Sequence, residues 1–332
     1  MKKFECRVSQ PPIDGDFDAE IKLVASESVP TVSVGSGKSE NPAETAGTHS
    51  VVARATLWWR DTPVMDDRKI GTIGDFTADD EETAIILLEQ AVDILKREGC
   101  EVAVGPMNGN TWRSHRFVIE SSGRGQFLLE PRNPPDYPGW WQQSGFSILS
   151  RYSSSLMPLD GAATISPALQ ERLERSRVRV RALDPQRYDD ELLLIFSISL
   201  KSFANNFLYT PLDEADFMEA YRKIRDRVDP DLVRIAERDG TACGFVFGIP
   251  DFEALTQGEK PALIVKTLAV DPSARCAGLG SLLVDELHRI GREKGYVEAI
   301  HALQHETNTS LKITGRHHGE IFRRYALFSK QL

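Results

Sequence analysis

The sequence predicts a mixed α/β protein built from two tandem domains, and three observations carry that expectation. Its 332 residues exceed what one hydrophobic core normally serves. Two strand–helix–strand patterns recur: KIGTIGDF, TADDEETAIILLEQAVDILKREG and CEVAVGP in the first half, then LIVKTLAV, DPSARCAGLGSLLVDELHRIGREKG and YVEAIHAL in the second. With Gly99 set against Gly295, an offset of 196 (295 − 99), Leu283 meets Leu87, Ile290 meets Ile94 and Ala299 meets Ala103 without a gap. Such self-similarity predicts a duplicated unit.

The elements follow in order. DAEIKLVA and VVARATLWWR read as strands, joined by a long loop from Ser26 to Thr48 that is rich in Ser, Gly, Thr and Pro. The first repeat has Ile85, Leu88, Val92 and Leu95 at helical spacing, and a basic stretch before Gly99 predicts a left-handed cap. Trp140, Trp141 and Phe146 are expected in a core. The pattern fades from Leu156 to Ala162, which places the join near Asp160. The expected division is a first domain over 1–160, a linker helix over 161–177 opened by Ser166-Pro167, and a second domain over 178–332. In that second half a strand at 178–183 precedes helical sequence from Gln186 to about Asp226, interrupted at 205–211. LVRIAER and ACGFVFGIP flank Asp239-Gly240, a strong hairpin signal. Leu283, Leu287 and Ile290 then mark the helix of the second repeat, and a final helix and strand end in RRYALF.

Composition narrows the function. A chain 41% hydrophobic and 27% charged is of ordinary globular type. A net charge of −9 disfavours nucleic-acid partners but allows a local basic pocket. Cys6, Cys100, Cys243 and Cys276 form no CxxC pair and no zinc spacing, which suits a reducing compartment. MKKFECRVSQPP meets charges and prolines before any apolar run, and no segment reaches membrane-spanning length. A cytoplasmic protein, monomeric or homodimeric, without membrane or nucleic-acid partners, is expected.

The stretch VDPSARCAGLG is the most informative. Pro272 stops a strand, and Gly278 and Gly280 remove Cβ atoms where a helix begins. The first N–H groups of a helix lack intrahelical partners and attract anions, and Arg275 adds a cation suited to phosphate. No GK[ST] follows, and Leu283 stands where a dinucleotide fingerprint has its third glycine. At the same offset Arg275, Gly278 and Gly280 face Asp79, Glu82 and Ala84, so the first repeat opens with acids that repel such an anion.

Val270, Pro272, Arg275, Gly278 and Gly280 resemble the acetyl-CoA motif of the GNAT superfamily of N-acetyltransferases, a strand ending near V-x-P followed by [RQ]-x-x-G-x-[GA] at a helix start. The order of elements from Val178 onward agrees, and the first half looks like a degenerate copy. VGPMNGNTW, RNPPDYPGWWQQSGF and SFANNFLYTPLDEADF resemble tandem GNAT-like bacterial proteins. The resemblance implies two tandem acyl-CoA N-acyltransferase domains, with acetyl-CoA as cofactor. The amides of Cys276, Ala277, Gly278, Leu279, Gly280 and Ser281 would hold its pyrophosphate. Leu268, Ala269 and Val270 would pair with its pantetheine arm, and Asn308, assisted by Ser310, would bind that arm too. Ser310 alternatively only caps a helix.

Acetyl transfer to an amine requires that the amine, of lysine-like pKa ~10, lose its proton, and a departing thiolate of pKa ~8.5 can gain one. His305 and Glu306, after the strand EAIHALQ, are candidate proton acceptors or else exposed loop residues. The family's tyrosine acid falls at Gly315 here, which leaves Tyr325 as a substitute or as a half-buried strand residue. Asn205, Asn206, Phe207, Tyr209, Asn108, Asn133 and Tyr137 are expected to line the acceptor site, or to serve turns and packing. His317-His318 lacks a carboxylate at ligand spacing, so no metal is expected and both rings are expected in solvent. The leading expectation is an acetyl-CoA-dependent N-acetyltransferase with one active site, acting on a primary amine of a small molecule or peptide. A CoA-binding sensor or scaffold, and an aminoacyl transferase using charged tRNA, are the alternatives.

Overall fold

The structure, a computed structural model, describes residues 3–11, 16–26, 49–160, 167, 171, 175–274 and 276–332. The chain folds into two compact units. The first comprises Met1–Phe117, Pro134–Leu149 and Leu327–Leu332; the second comprises Val118–Asn133 and Ser150–Ala326. The join expected near Asp160 falls inside the second unit. The loop expected at 26–48, apart from Ser26, and most of the linker helix expected at 161–177 lie outside the described residues.

The first unit contains β1 (Lys3–Ser9), β2 (Ala19–Ser26), β3 (His49–Trp58), the short β4 (Val64–Met65), β5 (Arg68–Ala78), helix α1 (Glu81–Arg97), β6 (Val102–Gly105) and α2 (Tyr137–Gln143). Its strands lie in the order β1-β2-β3-β5-β6. They are antiparallel except for the β5/β6 pair, where Ile70 faces Val102 across an α1 crossover. Ile70 through Gly74 are all buried, as a central strand requires. Leu87, Leu88, Ala91 and Leu95 form the buried stripe of α1. A Cβ on Gly71 would lie 2.5 Å from a terminal methyl of Leu95, so α1 packs closely on β5 over this glycine.

The second unit repeats this plan. Its strands are β7 (Phe117–Ser121), β8 (Ser147–Pro158), β9 (Val178–Ala182), β10 (Val233–Arg238), β11 (Thr241–Pro250), β12 (Ala262–Val270), β13 (Glu298–His305) and β14 (Glu320–Gln331). The ends of β7, β8 and β14 cross into the first unit, where Phe328–Gln331 pair with β6. Helices are α3 (Tyr188–Phe203), α4 (Glu214–Arg222), α5 (Phe252–Thr256), α6 (Leu279–Glu293) and α7 (Ser310–Arg316). The order is β8-β13-β12-β11-β10-β9, with β12/β13 parallel and the other pairs antiparallel. Leu192, Ile195, Phe196 and Phe217 from α3 and α4 cover Ile235, Phe245, Phe247 and Ala269 on one face. Leu279, Leu283 and Leu287 from α6 cover Val246, Leu263 and Val265 on the other. Each such side chain contributes about 1.5–3 kcal/mol by leaving water.

The hairpin turns at Asp239 and Gly240, both at positive φ (51° and 80°), and Gly99 and Gly295 follow their helices in left-handed conformations, as expected. One expectation changes. Val102 corresponds to Glu298 at the offset of 196 (298 − 102), but the strand partners of these residues, Ile70 and Ala262, differ by 192 (262 − 70). The two repeats therefore do not align without a gap. The second holds four more residues between strand and helix, and they enlarge the glycine loop.

Candidate functional site

The loop is stapled at its base. Buried Asp271 accepts the Ser273 N–H and hydroxyl at 2.8 and 2.6 Å and the Lys201 ammonium at 3.0 Å. The Ser273 bonds, with the lysine, hold its carboxyl below the usual carboxylate range. The Asp271 N–H donates to Cys243 O at 2.9 Å, and the Arg238 guanidinium donates to Ala274 O at 2.7 Å. Arg275 lies outside the described residues. Cys276 O then accepts the Leu279 N–H at 3.1 Å, and Gly278 enters α6 at φ 95°. No side chain caps α6, and its first turn holds no acid. In α1 the same place is filled: Asp80 and Thr83 form a capping box, with Glu81 and Glu82 in the first turn. Leu279 is buried; Cys276, Ala277, Gly278, Gly280 and Ser281 are at least partly exposed. A Cβ on Gly280 would sit 3.5 Å from Leu268 and from Ile313, so α6 begins close against β12 and α7. An uncapped helix start with glycine entry suits an anion such as pyrophosphate.

Beside the loop, two strands part. The β12/β13 register runs from Ala262 opposite Glu298 to Val265 opposite His301 and ends there. Both strands are irregular at that level. On β12, Phe247 faces Thr267 and Gly248 faces Val265, so Lys266 is an inserted bulge residue. On β13, the register with β8 shifts between His301 and Gln304, and Leu303 has φ 57°. Leu268, Ala269 and Val270 remain paired with β11 but have no β13 partner in the register. Their edge can pair with an extended ligand, with the Val270 N–H also donating to Ser202 Oγ at 3.3 Å.

The expected catalytic residues divide. His305 is held on several sides. Its Nδ1 accepts the Thr307 N–H at 3.1 Å, so the neutral ring carries its proton on Nε2 and donates to Ser150 Oγ at 2.7 Å. Tyr152 packs edge-on and Phe207 tilted against it, at 5.0 and 5.4 Å between ring centroids. Glu306 is exposed, with Oε1 3.4 Å from the Arg151 N–H. Tyr325, expected half-buried, is 0% exposed, and its hydroxyl donates to Glu130 at 2.6 Å. Burial pushes that hydroxyl's pKa up, and the adjacent Glu130 charge adds to the rise. Tyr325 is thus enclosed and engaged with Glu130 rather than open to solvent.

The remaining expected residues fall in different places. Asn308, just before Thr309 at the start of α7, accepts the Ser310 N–H at 2.9 Å, while Ser310 Oγ accepts from Gln304 at 2.7 Å. Asn205 and Asn206 are exposed, and Phe207 and Tyr209 are half-buried in the same segment. Asn133 grips both the N–H and the C=O of Val118, at 2.8 and 3.2 Å, closing the 118–133 segment of the second unit. Asn108 and Tyr137 belong to the first unit. Asn108 bonds Asp75 twice, and the buried Tyr137 hydroxyl meets Ala78 N–H and C=O. Both are thus bonded to partners within the first unit.

Sequence reasoning missed Lys266, Leu303, Ser154 and Glu130. Lys266 lies with its ammonium 5.6 Å from the Phe247 ring centroid, 5.7 Å from that of Tyr221 and 3.4 Å from the Tyr221 hydroxyl. A lysine inside the strand pattern LIVKTLAV was the available signal. His317, expected in solvent, is buried beside His288 and 2.9 Å from Asp285, while His318 is exposed. Among the described residues, no group of His, Cys, Asp or Glu is arranged to hold a metal, and no helix is long and apolar enough to cross a membrane.

Comparisons with known proteins agree with this geometry. Residues 195–312, which include the loop, match the model of the acetyltransferase (GNAT) family. Protein YghO of Escherichia coli is 25% identical over 176 residues, 52% of this chain and 45% of its own length. Bacterial ceramide synthase of Caulobacter vibrioides is 26% identical over 193 residues, 56% and 49% of the two chains. The chain thus spans just under half the length of these relatives. The crystal structure of a GCN5-related N-acetyltransferase from Sphaerobacter thermophilus, 12% identical, shares the fold with a TM-score of 0.54 over 94% of this chain and 80% of that one. Residues 195–312, which hold the loop and the parted strands, thus match the acetyltransferase (GNAT) family, and the chain shares the fold of a GCN5-related N-acetyltransferase.

Proposed function

We propose that the second unit is an acetyl-CoA-dependent N-acetyltransferase acting on a primary amine of a small molecule or peptide. The observation that carries this reading is the uncapped, acid-free start of α6 beside a strand edge freed at Val265. Amides at Gly278, Gly280 and Ser281 would hold the pyrophosphate, and residues 268–270 would pair with the pantetheine arm. The bound thioester would supply an activated acyl group. A backbone N–H of the opened strand would stabilise the developing oxyanion. Glu306, the exposed carboxylate at the end of β13, would take the amine proton through water, whereas His305 offers an N–H as bonded here. Ceramide is an amide, so the likeness to a protein named ceramide synthase supports testing long-chain amines among the acceptors.

Calorimetric titration of the full chain with CoA is expected to show one class of site. Gly278→Glu should abolish it by placing a carboxylate at the loop. Gly278→Ala introduces the strain of φ 95° without the charge and should keep measurable binding. Binding retained in Gly278→Glu would overturn the assignment.

A second reading, a CoA-binding sensor or scaffold with little transfer, is favoured by one observation: Gly315 replaces the family's tyrosine and Tyr325 is enclosed. Turnover of acetyl-CoA on a panel of polyamines, amino acids, aminoglycosides and long-chain amines separates the two. Acetylated product at ordinary enzymatic rates excludes the sensor.

A further inference from the structure

We propose that Glu130, Tyr325 and Ser154 form a buried brace that holds the bulge of β13 at Leu303, and thereby sets the opening that receives the thiol-bearing arm of CoA. This rests on the CoA-binding reading above. Tyr325 and Ser154 are both 0% exposed, and Glu130 is enclosed with them. Direction follows from the donors. The Tyr325 O–H donates to Glu130 Oε1 at 2.6 Å, so Ser154 Oγ–H must be the donor in its 3.0 Å bond to the Tyr325 oxygen. The Ser154 oxygen is then the acceptor for the Leu303 N–H at 2.9 Å. Each hydroxyl donates once and accepts once, and the chain runs from a carboxylate to a backbone amide.

The far end is fixed as firmly. Arg323 donates to Glu130 Oε1 at 2.7 Å and to the carbonyls of Arg124 and Gly125 at 3.0 Å each, and it also bonds Ser121. The near end is where force is needed. Leu303 is a bulky residue at φ 57°, a conformation that persists only when its surroundings hold it. Its place coincides with the shift in the β13/β8 register and lies just past the last β12/β13 pair, Val265 opposite His301. Tyr325 is accordingly a positioning residue.

The test uses two ligands on the full chain. Adenosine 3′,5′-bisphosphate carries the nucleotide end of CoA without the pantetheine arm. In Tyr325→Phe and in Ser154→Ala, CoA affinity by calorimetry should fall about tenfold, the loss of one net hydrogen bond. Adenosine bisphosphate affinity should stay within about twofold, and the Leu303 amide should exchange faster. The double variant should lose no more than either single variant, because both cut one chain. Unchanged CoA affinity, or equal weakening of both ligands, overturns the brace. If the unmodified chain binds neither ligand, the CoA-binding proposal fails instead. Exchange at Leu303 then decides the brace alone, and protection unchanged in both variants overturns it.

Discussion

His288, His301 and His317 gather between α6, β13 and the end of α7. His288 and His301 share a hydrogen bond between their Nε2 atoms at 3.1 Å, and His301 Nδ1 meets Thr314 Oγ1 at 2.8 Å. Burial, reinforced by the neighbouring imidazoles, pushes His288 well below its ordinary value and His301 down to about 3. The folded chain therefore keeps His301 neutral, while the unfolded chain protonates it below about pH 6.5. Its stability contribution is present above about pH 6.5 and is lost as pH falls toward 3, by up to about 1.4 kcal/mol per pH unit. Thermal melting from pH 7 to 4 should show this slope, and His301→Gln, which hydrogen-bonds but does not titrate there, should flatten it. An unchanged slope would show that other groups control acid lability. At this scale the sequence was weakly informative. A His-His dipeptide looks solvated, and only the turn of α7 under α6 encloses one ring while leaving the other out.

Among elements, α1 and α6 are the instructive pair, equivalent in plan and opposite at their N-termini. Asp80 Oδ1 accepts the Thr83 N–H at 2.9 Å and completes the start of α1, whereas Gly278 leaves that of α6 open. Asp80→Ala should cost the chain about 1 kcal/mol in urea unfolding and leave CoA affinity unchanged. A loss of CoA binding would show that α1 takes part in the site. Both helices were legible because local signals suffice: apolar spacing, an acidic or glycine-rich entry and a glycine exit. Less legible was the extra length of the second loop. The match of the helices hid it, and strand register, which revealed it, is a non-local pairing.

At the scale of the whole molecule, buried charge marks what periodicity could not show. Arg124, with its side chain only 4% exposed, bonds Glu298 at 2.7 Å and the fully buried Asp251 at 3.2 Å, and so ties the 118–133 segment to the second unit. Arg124→Met would leave Asp251 without its charge partner and should destabilise that unit by about 3–5 kcal/mol. A loss under about 1 kcal/mol in denaturant titration would mean that water replaces the guanidinium. The expectation of a boundary near Asp160 took chain order as the guide, yet residues 118–133 join the second unit and the last six residues join the first. By itself the sequence determined the mixed α/β class, both crossovers, the hairpin at Asp239-Gly240 and the place of the glycine loop, because spacing, turn chemistry and helix capping act over a few residues. Only the tertiary structure decided that β12 and β13 part after Val265, that Tyr325 is enclosed against Glu130, and which segments share a core. Those outcomes depend on residues up to about two hundred positions apart, whose proximity no local pattern records.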